Sequence, residues 1–121
     1  MSFASDDLRR LAAEEEVVIE TQAPEGPVHR TTIWVVVDRD EVFVRSFRGA
    51  TARWYREARA NPGVAIHVDG RRLPATAISA TDPDSIERVS AAIWAKYPND
   101  PATKAMVAPD VLDTTLRLEP T

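Results

Sequence analysis

Short runs of alternating apolar and polar residues dominate this chain, and most are the length of strands rather than helices. The exception at the start is Ser5-Asp6-Asp7-Leu8, which opens a short amphipathic helix over about residues 5–15. Leu8, Leu11 and Ala12 share one face of it, Ser5 is the expected N-cap, and the acids of the first turn suit the helix dipole. Val17-Val18-Ile19 then reads as a first strand, closed by the turn Pro24-Glu25-Gly26-Pro27. Residues 31–38 are almost continuously β-branched or aromatic, which predicts a central strand buried on both faces. Asp38-Arg39-Asp40 turns the chain into residues 41–46, where Val42 and Val44 alternate with Glu41, Phe43 and Arg45 to complete a hairpin.

A glycine-containing loop at 47–50 leads to Thr51, the expected cap of a helix through residue 60 with Trp54, Tyr55 and Ala58 on one face. Asn61-Pro62-Gly63 stops that helix. Residues 64–68 and 73–79 are further strands joined at Asp69-Gly70, and Pro74 marks the second as an edge strand. Asp82 or Asp84 caps a helix running to about Tyr97, with Ile86, Val89, Ile93 and Trp94 turned inward. A helical piece near 102–107 and a final strand over 114–118 complete the chain. Hairpins with helices pushed to the ends predict a mainly β (α+β) fold, a six-stranded antiparallel barrel in one domain spanning 1–121.

Composition narrows what such a barrel does. The formal charge of −4 argues against nucleic acid as the principal partner. Absence of cysteine removes disulfides, thiolate metal sites and a cysteine nucleophile. No apolar run reaches membrane length and the first residues are charged, so a cytoplasmic protein without membrane contact is expected. Arginine far outnumbers lysine, present only as Lys96 and Lys104, which fits a high-GC genome. His29 and His67 have no partner at metal-binding spacing, and Glu14-Glu15-Glu16 reads as a solvated helix end. Neither a glycine-rich phosphate loop nor a nucleophile elbow is present.

One constellation stands apart. Arg30-Thr31-Thr32 enters the long strand, Arg45-Ser46-Phe47-Arg48-Gly49 leaves the next, and Thr51-Ala52-Arg53 opens a helix. Helix N-terminal amides, hydroxyls and guanidinium groups together suit an anion, and Gly49 permits close backbone approach. Against this stands a plainer reading, with Thr51 as a cap, Ser46 as a turn residue and the arginines as solvated surface. Trp34 and Phe47 are either core residues or the walls of a slot for a planar ring.

At these residues the chain resembles the FMN-binding split-barrel superfamily, which includes pyridoxine phosphate oxidases and deazaflavin-dependent nitroreductases. The pattern is Arg30-Thr31-Thr32, then Phe43-Val44-Arg45-Ser46, Thr51-Ala52-Arg53-Trp54-Tyr55 and Ala60-Asn61-Pro62-Gly63-Val64. It is most similar to a small bacterial family of that group, domain of unknown function 2255, through residues 43–49, Arg53-Trp54-Tyr55, Ala95-Lys96-Tyr97 and the last strand. The resemblance implies a split-barrel homodimer holding FMN or coenzyme F-420 in a groove between subunits. It implies that Arg30, Ser46, Thr51 and Arg53 hold the phosphate, with Gly49 in their loop, and that Thr31, Thr32 and Trp34 lie along the ring and ribityl chain. The oxidases carry a Ser-Arg-Lys run where this chain has Thr51-Ala52-Arg53, and the loop here is one residue longer. Three functions follow as expectations: a flavin- or deazaflavin-dependent oxidoreductase acting on a small molecule, a non-catalytic flavin or haem module, and a degenerate barrel for another small ligand. In the first, hydride chemistry belongs to the cofactor and explains the missing catalytic side-chain set.

Overall fold

The computed structural model describes residues 2–121, which form seven strands and four α-helices. In chain order these are α1 (Ser5–Ala13), β1 (Val17–Gln22), β2 (Val28–Ile33), β3 (Val36–Asp38), β4 (Glu41–Val44), α2 (Arg53–Ala60), β5 (Gly63–Val68), β6 (Arg71–Ser79), α3 (Pro83–Lys96), α4 (Thr103–Met106) and β7 (Leu116–Pro120). All strands join one antiparallel sheet in the order β2-β1-β5-β6-β7-β4-β3, which curls into a half-barrel. No helix among the described residues is long and apolar enough to cross a membrane.

Alternation in the strands builds two cores. Val17 and Ile19 of β1, Val42 and Val44 of β4, Ile66 of β5 and Leu118 of β7 point into the barrel, where Leu11 of α1 and Trp54 of α2 cover them. The opposite face of the β3–β4 hairpin sends Val36 and Phe43 under α3, against Val89, Ile93 and Tyr97. Two-residue turns at Arg39-Asp40 and Asp69-Gly70 have both residues at positive φ, the geometry that matches the twist of antiparallel strands. Asp82 caps α3 by accepting the Ser85 N–H at 3.0 Å, and Asn61 ends α2.

Several expectations need correction. The run 31–38 is not one central strand. It breaks at Trp34-Val35 into β2 and β3, the two outermost strands of the sheet, and this makes seven strands instead of six. Its two-sided burial comes from the barrel on one side and α3 on the other, not from flanking strands. β6 is interior despite Pro74. The Pro74 carbonyl accepts from Thr121, so the proline nitrogen faces the same side, beyond Ala75↔Pro120 where the ladder to β7 ends. Neither Ser5 nor Thr51 caps a helix: Ala4 and Ala52 occupy those positions without side-chain bonds, because α1 starts at Ser5 itself and Thr51 belongs to a short 3-10 turn, Gly49–Thr51. Ala12 is exposed on α1, Trp94 is 43% exposed on α3, and the last strand begins at Leu116 after a 3-10 stretch, Pro109–Thr114.

Polar residues on the outer face of the sheet are paired across strands. Glu20 of β1 accepts from Arg72 of β6 at 2.8 Å and lies 2.8 Å from His67 of β5. These contacts, Arg72 first, hold its carboxyl down at about 2. The unfolded carboxyl takes its proton near 4.5, so Glu20 stabilises the fold fully above that pH and loses its contribution as pH falls toward about 2. Chemical denaturation of the parent and Glu20→Gln across this window is expected to show a shallower acid decline in the variant. Parallel curves would refute the assignment.

Candidate functional site

A groove of about 730 Å3 opens where the chain crosses from β2 to β3. That crossing supplies Thr31, Thr32 and Trp34, and the loop after β4 with the first turns of α2 supplies Phe47, Arg48, Thr51, Arg53 and Arg56. At the groove wall Trp34 stacks on Tyr97, with centroids 3.8 Å apart and planes 11° from parallel. The ring is thus fixed from behind.

Charge is distributed unevenly here. Arg10, Arg71, Arg72, Arg88 and Arg117 each meet a carboxylate elsewhere in the fold. Arg48, Arg53 and Arg56, all exposed, have no ion pair among the described residues and all three line the groove. Arg53 and Arg56 are three residues apart on α2, which puts them on neighbouring positions of one helix face. The α2 N-terminus, capped by no side chain, presents its free amides beside them. Glu16 and Asp100 are the acids of the lining, near the Trp34–Tyr97 stack. Glu16 precedes Val17, which pairs with Ile33, and Asp100 follows Tyr97 by one turn and accepts from the Ala102 N–H at 2.8 Å. Burial pushes the Tyr97 hydroxyl up to about 12, and the charges of Glu15, Glu16 and Asp100 reinforce it.

Of the residues singled out in the sequence, Thr31, Thr32, Trp34, Thr51 and Arg53 line this groove together. Arg30, Ser46 and Gly49 do not. Arg30 points from β2 to solvent opposite Glu20 in the register. Ser46 is buried, its hydroxyl donating to the Gly49 carbonyl at 2.7 Å and its N–H to Thr114 at 3.0 Å. Gly49 is buried too, and its φ of 65° makes the turn that brings Thr51 round. These two residues shape the loop behind the groove. Arg56 escaped the sequence reading although its i+3 spacing from Arg53 was available.

Arg45 has a different part. It is 2% exposed and reaches the groove only as part of its floor. Its guanidinium donates to Thr115 Oγ1 at 2.9 Å, Ser90 Oγ at 3.0 Å, the Met106 carbonyl at 3.0 Å and the Ile86 carbonyl at 3.2 Å. No carboxylate neutralises it among the described residues, and burial pulls its pKa down to about 10.

The histidines sit elsewhere. His29 Nδ1 is 2.9 Å from Glu57 Oε2, and Thr21 donates to Glu57 Oε1 at 2.8 Å. Burial works to raise the Glu57 carboxyl, but the bonds from Thr21 and His29 and the charges of His29 and Arg53 leave it below its ordinary value. Among the described residues no three His, Cys, Asp or Glu side chains gather as a metal site would require.

The fold has relatives among solved structures. HutZ, the haem storage protein of Vibrio cholerae, is 16% identical over 100% of this chain and 92% of its own, with a TM-score of 0.68. An F420-H2 dependent reductase, FDR-A, is 17% identical over 88% of this chain and 95% of its own, TM-score 0.65. The conserved hypothetical protein Rv2991 of Mycobacterium tuberculosis is 18% identical over 98% and 79%, TM-score 0.71. The curling antiparallel sheet with its peripheral helices therefore has the split-barrel fold that these structures share. No curated protein sequence matches the chain. Within that class it belongs to the family described as uncharacterized protein conserved in bacteria, DUF2255, whose model matches residues 7–118.

Proposed function

We propose that the groove binds a phosphate-bearing flavin or deazaflavin, FMN or coenzyme F-420, with the phosphate at Arg48, Thr51, Arg53 and Arg56. The observation that carries this is the set of three arginines without ion pairs that line one groove in a chain of net charge −4. A permanent planar cation recognises phosphate bidentately, and the Thr51 hydroxyl and the α2 amides add donors. The groove volume lies within the range of small-molecule sites, roughly 300–1,000 Å3. Trp34, fixed on one side by Tyr97, offers a flat surface to a planar ring. Thr31 and Thr32, on opposite faces of β2, both border the groove. The histidines, natural axial ligands for haem, are absent from the groove lining, so its residues fit a flavin better.

The bound ring would supply hydride chemistry, while the chain's own residues bind the phosphate and orient the ring. Likeness to an F420-H2 dependent reductase supports that direction. A small-molecule substrate would share the groove beside Phe47, which is 55% exposed. The superfamily resemblance further supports a homodimer in which a second copy covers the open side of the groove and brings the exposed Arg30 toward the ligand.

The test is titration of the purified protein with FMN, coenzyme F-420 and haem, followed by absorbance and by quenching of tryptophan emission. Saturable binding of FMN or coenzyme F-420 in the micromolar range or tighter is expected, with light scattering giving a dimer. Binding of haem alone would favour the storage-type reading, and binding of none would remove the proposal.

A further inference from the structure

His29 and Glu57 lie outside the groove lining, yet each sits on an element that builds it. His29 comes two residues before Thr31 on β2, so both side chains fall on one face of that strand, and Thr31 lines the groove. Glu57 follows Arg53 by four residues on α2, so the two share a helix face, and Arg53 lines the groove as well. The Glu57 carboxylate is buried in the seam between helix and strands. Thr21 of β1 donates to its Oε1 at 2.8 Å, and His29 Nδ1 lies 2.9 Å from Oε2 and 3.1 Å from Oε1. The Thr21 hydroxyl is neutral. Among the described residues His29, 27% exposed, is therefore the one group within ion-pair distance that can balance this carboxylate.

The seam has two charge states. With Nδ1 turned to a carboxylate, the neutral ring carries its proton there and keeps Nε2 for the next one. An imidazole ordinarily changes charge between about pH 5 and 8. While the ring is neutral, Glu57 is balanced only from a distance, by Arg53, whose charge helps to hold its carboxyl down. Arg53 then serves two anions, the carboxylate behind it and whatever the groove holds. Once the ring is protonated, the ion pair closes inside the seam and the field of Arg53 turns to the groove. No other charge intervenes from the packed elements. Glu20 and Arg30, beside Thr21 and His29 along their strands, alternate to the outer face, where Glu20 meets Arg72 and His67. On α2, Arg56 lines the groove and Arg59 bonds to the Tyr55 hydroxyl.

We infer that the His29–Glu57 pair is a pH-sensitive control on the anion subsite of α2, which holds a phosphate-bearing ligand more tightly when His29 is protonated. The inference rests on the reading of the groove as a phosphate site. Its sign follows from the geometry: a proton gained at His29 adds positive charge one strand pleat from Thr31 and cancels the anion that competes for Arg53. Linkage makes the effect reciprocal, so phosphate in the groove favours protonation of His29.

The affinities of FMN and riboflavin are measured at about pH 5.5 and about pH 8, at low ionic strength, for the parent and His29→Gln. The glutamine amide keeps a donor for Glu57 but carries no charge. Protonation of the FMN phosphate itself is common to both proteins, and riboflavin, which lacks the phosphate, reports any general change in the groove. The ratio of FMN affinity at the lower pH to that at the higher should be about threefold larger in the parent than in His29→Gln, with equal ratios for riboflavin. Raised salt should shrink the contrast. Glu57→Gln, of nearly the same shape, removes the competing anion and should tighten FMN about threefold at pH 8, whereas loss of a merely structural bond would weaken both ligands. Equal FMN ratios in parent and His29→Gln, a difference that riboflavin shares, or unchanged or weaker FMN binding by Glu57→Gln would overturn the inference and leave the phosphate site standing. Failure of the parent to bind FMN at either pH would remove both.

Discussion

Arg45→Ala is expected to lower the free energy of unfolding by about 4 kcal/mol, a large share of the 5–15 kcal/mol typical of a domain this size. The guanidinium leaves the end of β4 and bonds α3 through Ile86 and Ser90, α4 through Met106, and the segment before β7 through Thr115. Removing it opens a cavity and strands the Met106 carbonyl, while Thr115 Oγ1 keeps only its bond to the Leu112 carbonyl. Burial of an unneutralised cation is costly by itself, so a shape-preserving apolar replacement recovers part of the loss. Arg45→Met should therefore fall between the parent and Arg45→Ala. Urea denaturation followed by tryptophan emission measures all three. A loss below about 1 kcal/mol for Arg45→Ala would mean that the four bonds are not formed together in solution.

Arg53→Ala combined with Arg56→Ala is expected to weaken FMN binding about 100-fold, at about 1–1.5 kcal/mol for each charge-assisted contact at a solvent-exposed rim. Both side chains are exposed, and the one internal partner of the pair is Glu57, whose charge Arg53 favours, so the unfolding midpoint should fall only slightly below that of the parent. This separates the pair from Arg45, whose loss harms the fold first. Riboflavin, which lacks the phosphate, is the control ligand: its affinity should be nearly unchanged by the same two substitutions. Calorimetric titration of both ligands at two salt concentrations reads the contrast, and raised salt should weaken FMN more than riboflavin. An equal loss for both ligands would point to a disturbed groove instead of a missing phosphate clamp.

Much of the fold was legible because burial in it follows local periods. Trp54, Tyr55 and Ala58 lie inward on α2, and Val42 and Val44 lie inward on β4, as their spacing predicts. The run 31–38 was misleading because periodicity reports burial and not the agent of burial. Ile33 and Val35 face the barrel while Val36 faces α3, and this satisfies the pattern of a central strand at the sheet's two margins. Pro74 misled for a related reason: whether a missing N–H matters depends on where the neighbouring ladder stops, and that is tertiary information. In the candidate site, Thr31, Thr32, Trp34, Thr51 and Arg53 were named from sequence and do share a groove. Ser46 stays open between ligand donor and turn residue in the sequence because a hydroxyl in a loop looks the same whether it faces solvent or the carbonyl of Gly49. The opposed acids Glu16 and Asp100, 84 positions apart in a chain numbered 1–121, meet only through the fold.

The order of the sheet has a mechanical side. β6, nine residues long, gives its first half to β5 and its second to β7, so three strands hang on either side of a single spine. The margins β2 and β3 lie farthest from that spine, and the groove opens where they are joined. The molecule is built like a closed clasp, with its back at β6 and its fastening at Trp34-Val35, which ties the two outermost strands directly to each other. The far ends of both arms of the sheet are thus fixed together at the groove, and neither margin is left as a loose end beside it.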